Sequence, residues 1–155
     1  MEISLLADNP QESKVIAQWY YDEWASIAPD MTIGQVHEKV AKAINRDQVP
    51  LTVLAHQNNK LVGVAELKFR ENKNYPEYEH WLGGIFVNPD YRGQGISSLL
   101  INEVKEHAIR LGVECLHLQC ESHNVALYKK HGFNVLHEAN HCQIKVAIMR
   151  WLVNT

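Results

Sequence analysis

Cysteine is scarce in this chain. There are three, Cys115, Cys120 and Cys142, an odd number with no C-x-x-C pair. That excludes a disulfide framework and the paired-cysteine zinc patterns. With no leader-like start, it predicts a reducing, cytoplasmic setting. No uninterrupted apolar run approaches the ~20 residues of a membrane span. The opening MEISLLADNP lacks the basic stretch and long apolar core of a secretory leader. Positive charge is also in short supply: 15 Lys and Arg face 18 Asp and Glu, a net charge of −3. Duplex nucleic acid is therefore not expected as a partner, because phosphate neutralisation needs a basic face. No repeat, low-complexity tract or Gly/Ser/Pro linker divides the 155 residues, so a single domain, 1–155, is expected.

What is present alternates between helical and strand periods. Ile3, Leu5 and Leu6 predict a first strand. Asn9-Pro10 predicts a helix start, with Asn as N-cap, ahead of the stripe Val15, Ile16, Trp19, Tyr20, Trp24. A second helix is predicted from Thr32 through Val36, Val40 and Ile44. Leu51–Ala55 and the alternating run 61–70, joined at Asn58-Asn59, predict a hairpin. Trp81–Val87 reads as a buried central strand. A helix follows with Ile96, Leu99, Leu100, Val104, Ala108 and Leu111 on one face and Gly112 beyond its end. Cys115–Cys120 predicts a strand and 124–131 a short helix. Phe133–Glu138 and His141–Trp151 predict two last strands. The order β-α-α-β-β-β-α-β-α-β-β implies an α/β domain with a mixed sheet.

One junction carries chemistry. A buried strand ends at Val87, a loop with Arg92, Gly93, Gln94 and Gly95 turns, and a helix starts at Ile96-Ser97. The glycines allow close backbone approach, and the unpaired N–H groups of a helix start form an anion site. Arg92 adds a positive charge, so diphosphate is the expected ligand. A Walker loop is absent, and Ser98 stands where a dinucleotide fingerprint needs its third glycine.

Arg92-x-x-Gly95-x-Ser97 resembles the acyl-CoA pyrophosphate loop of the GNAT superfamily of acetyltransferases, with Ser97 where the family has Gly or Ala. The segment Asn124-Val-Ala126-Leu-Tyr128-Lys-Lys-His-Gly132-Phe133 is similar to the family's second motif, although Tyr128 follows Ala126 by two positions rather than four. With the element order, the resemblance covers essentially the whole chain. It implies a mostly antiparallel, twisted sheet flanked by helices. It implies acetyl-CoA as donor, a primary amine as acceptor, and direct attack in a ternary complex.

The resemblance assigns roles. Backbone groups of Ile85, Phe86 and Val87 would meet the pantetheine arm, and one N–H would polarise the thioester carbonyl. Arg92 to Ser97 would hold the diphosphate, and Asn124 would cap its helix and touch the cofactor arm. Tyr128 would protonate the leaving thiolate. Relatives carry a Glu or His early on the central strand, where this chain has Trp81 and Gly83. His80 and Glu79 therefore become the candidate bases, with Glu66 as an alternative. Glu23, Trp24, Tyr78 and Trp81, with further carboxylates such as Glu71, would shape a pocket for a small cationic amine. Residues 1–90 carry 8 basic and 13 acidic side chains, whereas residues 91–155 carry 7 and 5, which places the acidic excess on the acceptor segments. The group Cys115, His117, Cys120, His123, His137, His141 and Cys142 splits between strand faces and predicts no metal site. A homodimer stays open. A non-catalytic acyl-CoA-binding module is the alternative function, and a nicotinamide or flavin domain lacks a recognisable site.

Overall fold

A computed structural model describes residues 1–24 and 30–153. Seven strands form one sheet: β1 (Glu2–Leu5), β2 (Leu51–Gln57), β3 (Lys60–Phe69), β4 (His80–Val87), β5 (Cys115–Cys120), β6 (Asn134–His141) and β7 (Ile144–Leu152). Their spatial order is β1-β2-β3-β4-β5-β7-β6. Every neighbouring pair is antiparallel except β4 and β5. Four α-helices lie among the described residues: α1 (Ser13–Trp24), α2 (Ile33–Ala41), α3 (Ile96–Arg110) and α4 (Val125–Lys130). No helix among these residues is long and apolar enough to cross a membrane.

Local chemistry accounts for most boundaries. Thr32 Oγ1 accepts from the Gln35 N–H while Gln35 Oε1 accepts from the Thr32 N–H, a reciprocal cap that starts α2. Asn58 and Asn59 both have positive φ, as the two-residue β2–β3 turn requires. Gly112, at φ 76°, ends α3.

Other expectations change. Asn9 precedes a short 3-10 turn at 10–12 and its side chain caps nothing; its Nδ2 donates to Ser4 Oγ instead. Ile44 lies beyond α2, exposed, in an isolated bridge to Leu51. The inward face of α3 includes fully buried Ile101 and leaves Leu99 exposed, because α3 packs against a broad sheet and buries a wider stripe than one row of residues. Cys142 and Gln143 both take positive φ in the β6–β7 turn, so β7 starts at Ile144 rather than His141.

The sheet is covered on both faces. Leu51, Val53, Leu67, Leu100, Ile101, Leu116 and Phe133 belong to the core beneath α3. Ile16, Ala17, Tyr20, Leu54 and Val64 close the opposite face under α1 and α2. A smaller cluster forms around Trp81, Val146 and Ile148. Two irregularities open the centre of the sheet. Strands β4 and β5 pair only at Trp81 opposite His117 and leave a gap beyond it. Val64 of β3 faces Phe86 of β4 but Glu66 faces Gly83, so β4 carries one extra residue there. Gly84, at φ 58°, makes this bulge.

Next to that single pair, His117 is 4% exposed and stacks on Tyr78 at 4.1 Å. Its Nδ1 has no hydrogen-bond partner. Burial, reinforced by the Arg150 charge, lowers its pKa from 6.5 to about 4. The unfolded chain therefore takes a proton near pH 6.5 that the folded chain refuses until about pH 4. Stability is complete above pH 6.5 and falls as pH drops through that window, by about 3 kcal/mol in total. His117→Phe, which keeps the stack, is expected to flatten most of that fall in urea melts taken from pH 7 to pH 4. An equal fall in the variant would assign the acid sensitivity elsewhere.

Candidate active site

A cavity of about 760 Å³ enters the gap between β4 and β5. Leu82, Gly83, Gly84 and Ile85 line one wall, and Leu118, Gln119 and Cys120 line the other. Tyr20, Glu23 and Trp24 from α1, Val36 and Lys39 from α2, and Asn124 and Tyr128 on the α4 side complete it. A second cavity of about 330 Å³ lies at the start of α3, lined by Val87, Arg92, Gly93, Gly95, Ile96, Ser97 and others.

The smaller cavity suits an anion. Gly93 and Gly95 have φ of 79° and 81°, and a Cβ on either would meet nothing within 4 Å. Here glycine serves backbone conformation, leaving the approach open. No side chain caps the start of α3, a helix of 15 residues, so its first-turn N–H groups face that opening. Arg92 Nε donates to the Val87 carbonyl at 3.0 Å, and its guanidinium lies 5.4 Å from the Phe86 ring centroid. The charge is thus fixed at the end of β4.

The larger cavity is lined by buried phenol and thiol groups. Tyr20 donates to the Gly84 carbonyl at 2.6 Å and pins the bulge from the α1 side. Tyr128 packs edge-on to Phe133 at 6.2 Å. Burial, then the charges of Cys120 and Glu71, raise its phenol well above the ordinary value, so it stays protonated. Burial also pushes the Cys120 thiol up to about 11. That thiol contacts Met149 Sδ at 3.8 Å. Among the described residues no cluster of His, Cys, Asp and Glu could hold a metal ion.

The sequence-predicted residues divide between inside and outside. Tyr128, Asn124, Ile85, Glu23 and Trp24 converge on the larger cavity; Val87, Arg92, Gly93, Gly95, Ile96 and Ser97 converge on the smaller. Phe86 packs on Trp19 at 5.1 Å. Gln94 is exposed and lines neither cavity. Asn124 makes no side-chain cap, since a 3-10 turn runs straight into α4 and leaves it helical, at φ −99° and ψ −5°.

Four of the expected residues do not line the larger cavity. Trp81 is fully buried, donating to the Tyr78 carbonyl, and presents nothing to an acceptor. Tyr78 stacks between Tyr75 and His117 and bonds His137. His80 meets Phe69 edge-on at 5.7 Å, and Glu79 pairs with Arg70 at 3.7 Å. Neither lines the cavity that holds Tyr128. The strand starts at His80, and its cavity-lining stretch begins at Leu82. Sequence reasoning missed Tyr20 and Lys68. Tyr20 read as one member of a helix stripe, and Lys68 as an ordinary alternating strand residue.

A sheet parted between its parallel strands, with a glycine-loop helix start at one end and a protonated phenol in the gap, suits an extended, phosphate-bearing ligand. The chain belongs to the acetyltransferase (GNAT) family, whose model matches residues 14–133. No curated protein matches the sequence. Solved structures share the fold. A GNAT-family acetyltransferase from Streptococcus pneumoniae is 23% identical, with a TM-score of 0.70 over 97% of this chain and 99% of that one. An aminoglycoside 6'-N-acetyltransferase complexed with coenzyme A is 15% identical, with a TM-score of 0.78 over 100% and 98%. A ribosomal-protein-alanine N-acetyltransferase from Brucella melitensis is 18% identical, with a TM-score of 0.76 over 98% and 99%.

Proposed function

We propose that this acetyltransferase moves the acetyl group of acetyl-CoA onto a primary amine of a small cationic acceptor, by direct attack in a ternary complex. The observation that carries the reading is the single cavity joining α1 and α2, the β4 bulge and Tyr128 through the β4–β5 gap. An extended arm fits that gap because the strands leave their edges unpaired beyond Trp81 and His117. The start of α3, with Gly93, Gly95 and Arg92, would hold the diphosphate. Backbone N–H groups around the Gly84 bulge would polarise the thioester carbonyl and stabilise the oxyanion. Tyr128 would give its proton to the departing thiolate.

A cationic acceptor is supported by charge. Glu23, Glu66, Glu71 and Glu121 all line the cavity, and Trp24 offers an aromatic face. Three free cysteines among the described residues fit a reducing compartment, the cytoplasm. The deciding experiment is thiol release from acetyl-CoA over a panel of polyamines, aminoglycosides, amino acids and peptide N-termini. Release that depends on an amine, fastest with polycationic ones, is the expected result. Tight CoA binding with no release from any amine would instead assign a non-catalytic acyl-CoA-binding module.

A further inference from the structure

Glu66, Lys68 and Glu71 form a charged row inside the larger cavity, with no part in cofactor binding, oxyanion stabilisation or thiolate protonation. Lys68 Nζ lies 3.0 Å from Glu71 Oε1 and 3.8 Å from Glu66 Oε2. Their side chains are 24% (Lys68), 18% (Glu71) and 9% (Glu66) exposed. Withdrawing three charges from water this far is costly, and apolar residues would fill the space more stably. The placement of the row points to a use. A Cβ on Gly83 would lie 2.8 Å from Glu71 Oε1, and one on Gly84 would collide with Glu66 Oε2. The two carboxylates therefore sit directly on the bulge of β4.

The two are not equivalent. Glu66 is fixed on β3 opposite Gly83, beside the Tyr20 hydroxyl that pins the bulge. Glu71 reaches in from the segment after β3, and Lys68 occupies only one of its acceptor positions. Resting on the acetyl-transfer reading, we propose that Glu71 takes the proton shed by the acceptor ammonium, and that Lys68 is the positioning residue that ties Glu71 to Glu66 across the bulge.

Protons and bonds balance. The R–NH3⁺ acceptor gives one proton to the Glu71 carboxylate. The neutral nitrogen attacks the thioester carbon and a C–N bond forms. The C–S bond then breaks, and the thiolate leaves with the Tyr128 proton. The second proton of the nitrogen restores Tyr128. Glu71 returns its proton to solvent, so one proton is released per acetyl group moved.

Other charged groups face this row. Burial would lower the Lys68 ammonium, but Glu71 and Glu66 outweigh it and hold the group above its ordinary value. Burial raises Tyr20 as it does Tyr128, so both phenols stay neutral. Arg70 is engaged with Glu79. Glu23 and Lys39 on the helices, and Glu121 after β5, are exposed at the cavity wall and screened by water. His123 and His141 also line the cavity.

The test is kcat/KM against pH, with the amine that gives the fastest thiol release. Glu71→Gln is expected to lower kcat about 10²-fold or more and to abolish the acid limb. Lys68→Met, which removes the positive charge beside Glu71, should move the midpoint of that limb up, and Lys68→Arg should restore it. Wild-type kcat or a surviving acid limb in Glu71→Gln, or an unmoved midpoint in Lys68→Met, overturns the proposal. Should Lys68→Met fail to fold, Glu71→Gln decides alone, since it keeps the Lys68–Glu66 pair. No thiol release by the wild-type protein with any amine overturns the transfer reading itself, whereas release that Glu71→Gln leaves untouched overturns only this assignment.

Discussion

Tyr128→Phe is expected to lower kcat by about 10²-fold or more while leaving the Kd for acetyl-CoA within a few-fold of wild type. The substitution removes one oxygen from a ring held edge-on to Phe133. The backbone carbonyl of Tyr128 still accepts from the His131 and Phe133 N–H groups, so the end of α4 is unchanged. What is lost is a proton. A phenol raised above its ordinary value by burial holds its proton throughout the neutral range. It yields that proton only when a charge as basic as a thiolate develops beside it. Cys120 is another proton-bearing group beside the gap, its thiol pushed up to about 11. Its contact with Met149 turns it toward the core beneath α3, so Cys120→Ala should change kcat little. Stopped-flow thiol release with the best amine from the panel measures both variants. Unchanged turnover in Tyr128→Phe would remove the phenol from the mechanism, and a large loss in Cys120→Ala would move the role to the thiol.

The outer framework of this site was readable in the sequence because it is built from local signals. Positive φ at Asn58-Asn59, the glycines before α3 and Gly112 after it are each decided within a few residues, and each falls where the turn chemistry places it. The acid half of the chain likewise supplies Glu23, Glu66 and Glu71 to the cavity. The centre was not readable in the same way. Trp81 follows the loop expected to shape the acceptor pocket, yet a sheet covered on both faces buries it completely. Lys68 alternates with apolar neighbours as a solvent-facing residue would. Glu66, two positions earlier, shares its face by strand alternation, but Glu71 lies beyond the strand end and is brought to it by the segment after β3, which the strand pattern does not show. Gly83-Gly84 read as an unremarkable stretch of apolar strand. A bulge depends on the register of β3 against β4, a property of two strands that neither sequence segment carries alone.

That bulge gives the second large expected effect, a contrast between two glycines that share a backbone conformation. Gly95→Ala and Gly84→Ala both place an L-residue at positive φ, 81° and 58°, which costs about 1–2 kcal/mol. At Gly95 the new methyl meets nothing within 4 Å, so the conformational cost is the whole cost. At Gly84 the methyl would collide with Glu66 Oε2 and lie 2.5 Å from the Tyr20 hydroxyl, two groups that pack against each other beneath α1. To admit it, either the Tyr20 bond to the Gly84 carbonyl breaks or the carboxylate leaves Lys68. Each strands a buried polar group, which adds about 1–3 kcal/mol. Gly84→Ala should therefore lose about 3 kcal/mol or more in urea unfolding, and Gly95→Ala about half as much. The activities should separate further. Gly84 shapes the backbone expected to meet the thioester carbonyl, and a misplaced oxyanion donor costs about 10²-fold in kcat. Gly95→Ala should act mainly on the Kd for acetyl-CoA, through the start of α3. Equal losses of kcat in the two variants would mean that the bulge serves packing alone, whereas the predicted split makes the strand irregularity itself part of the acetyl-transfer site.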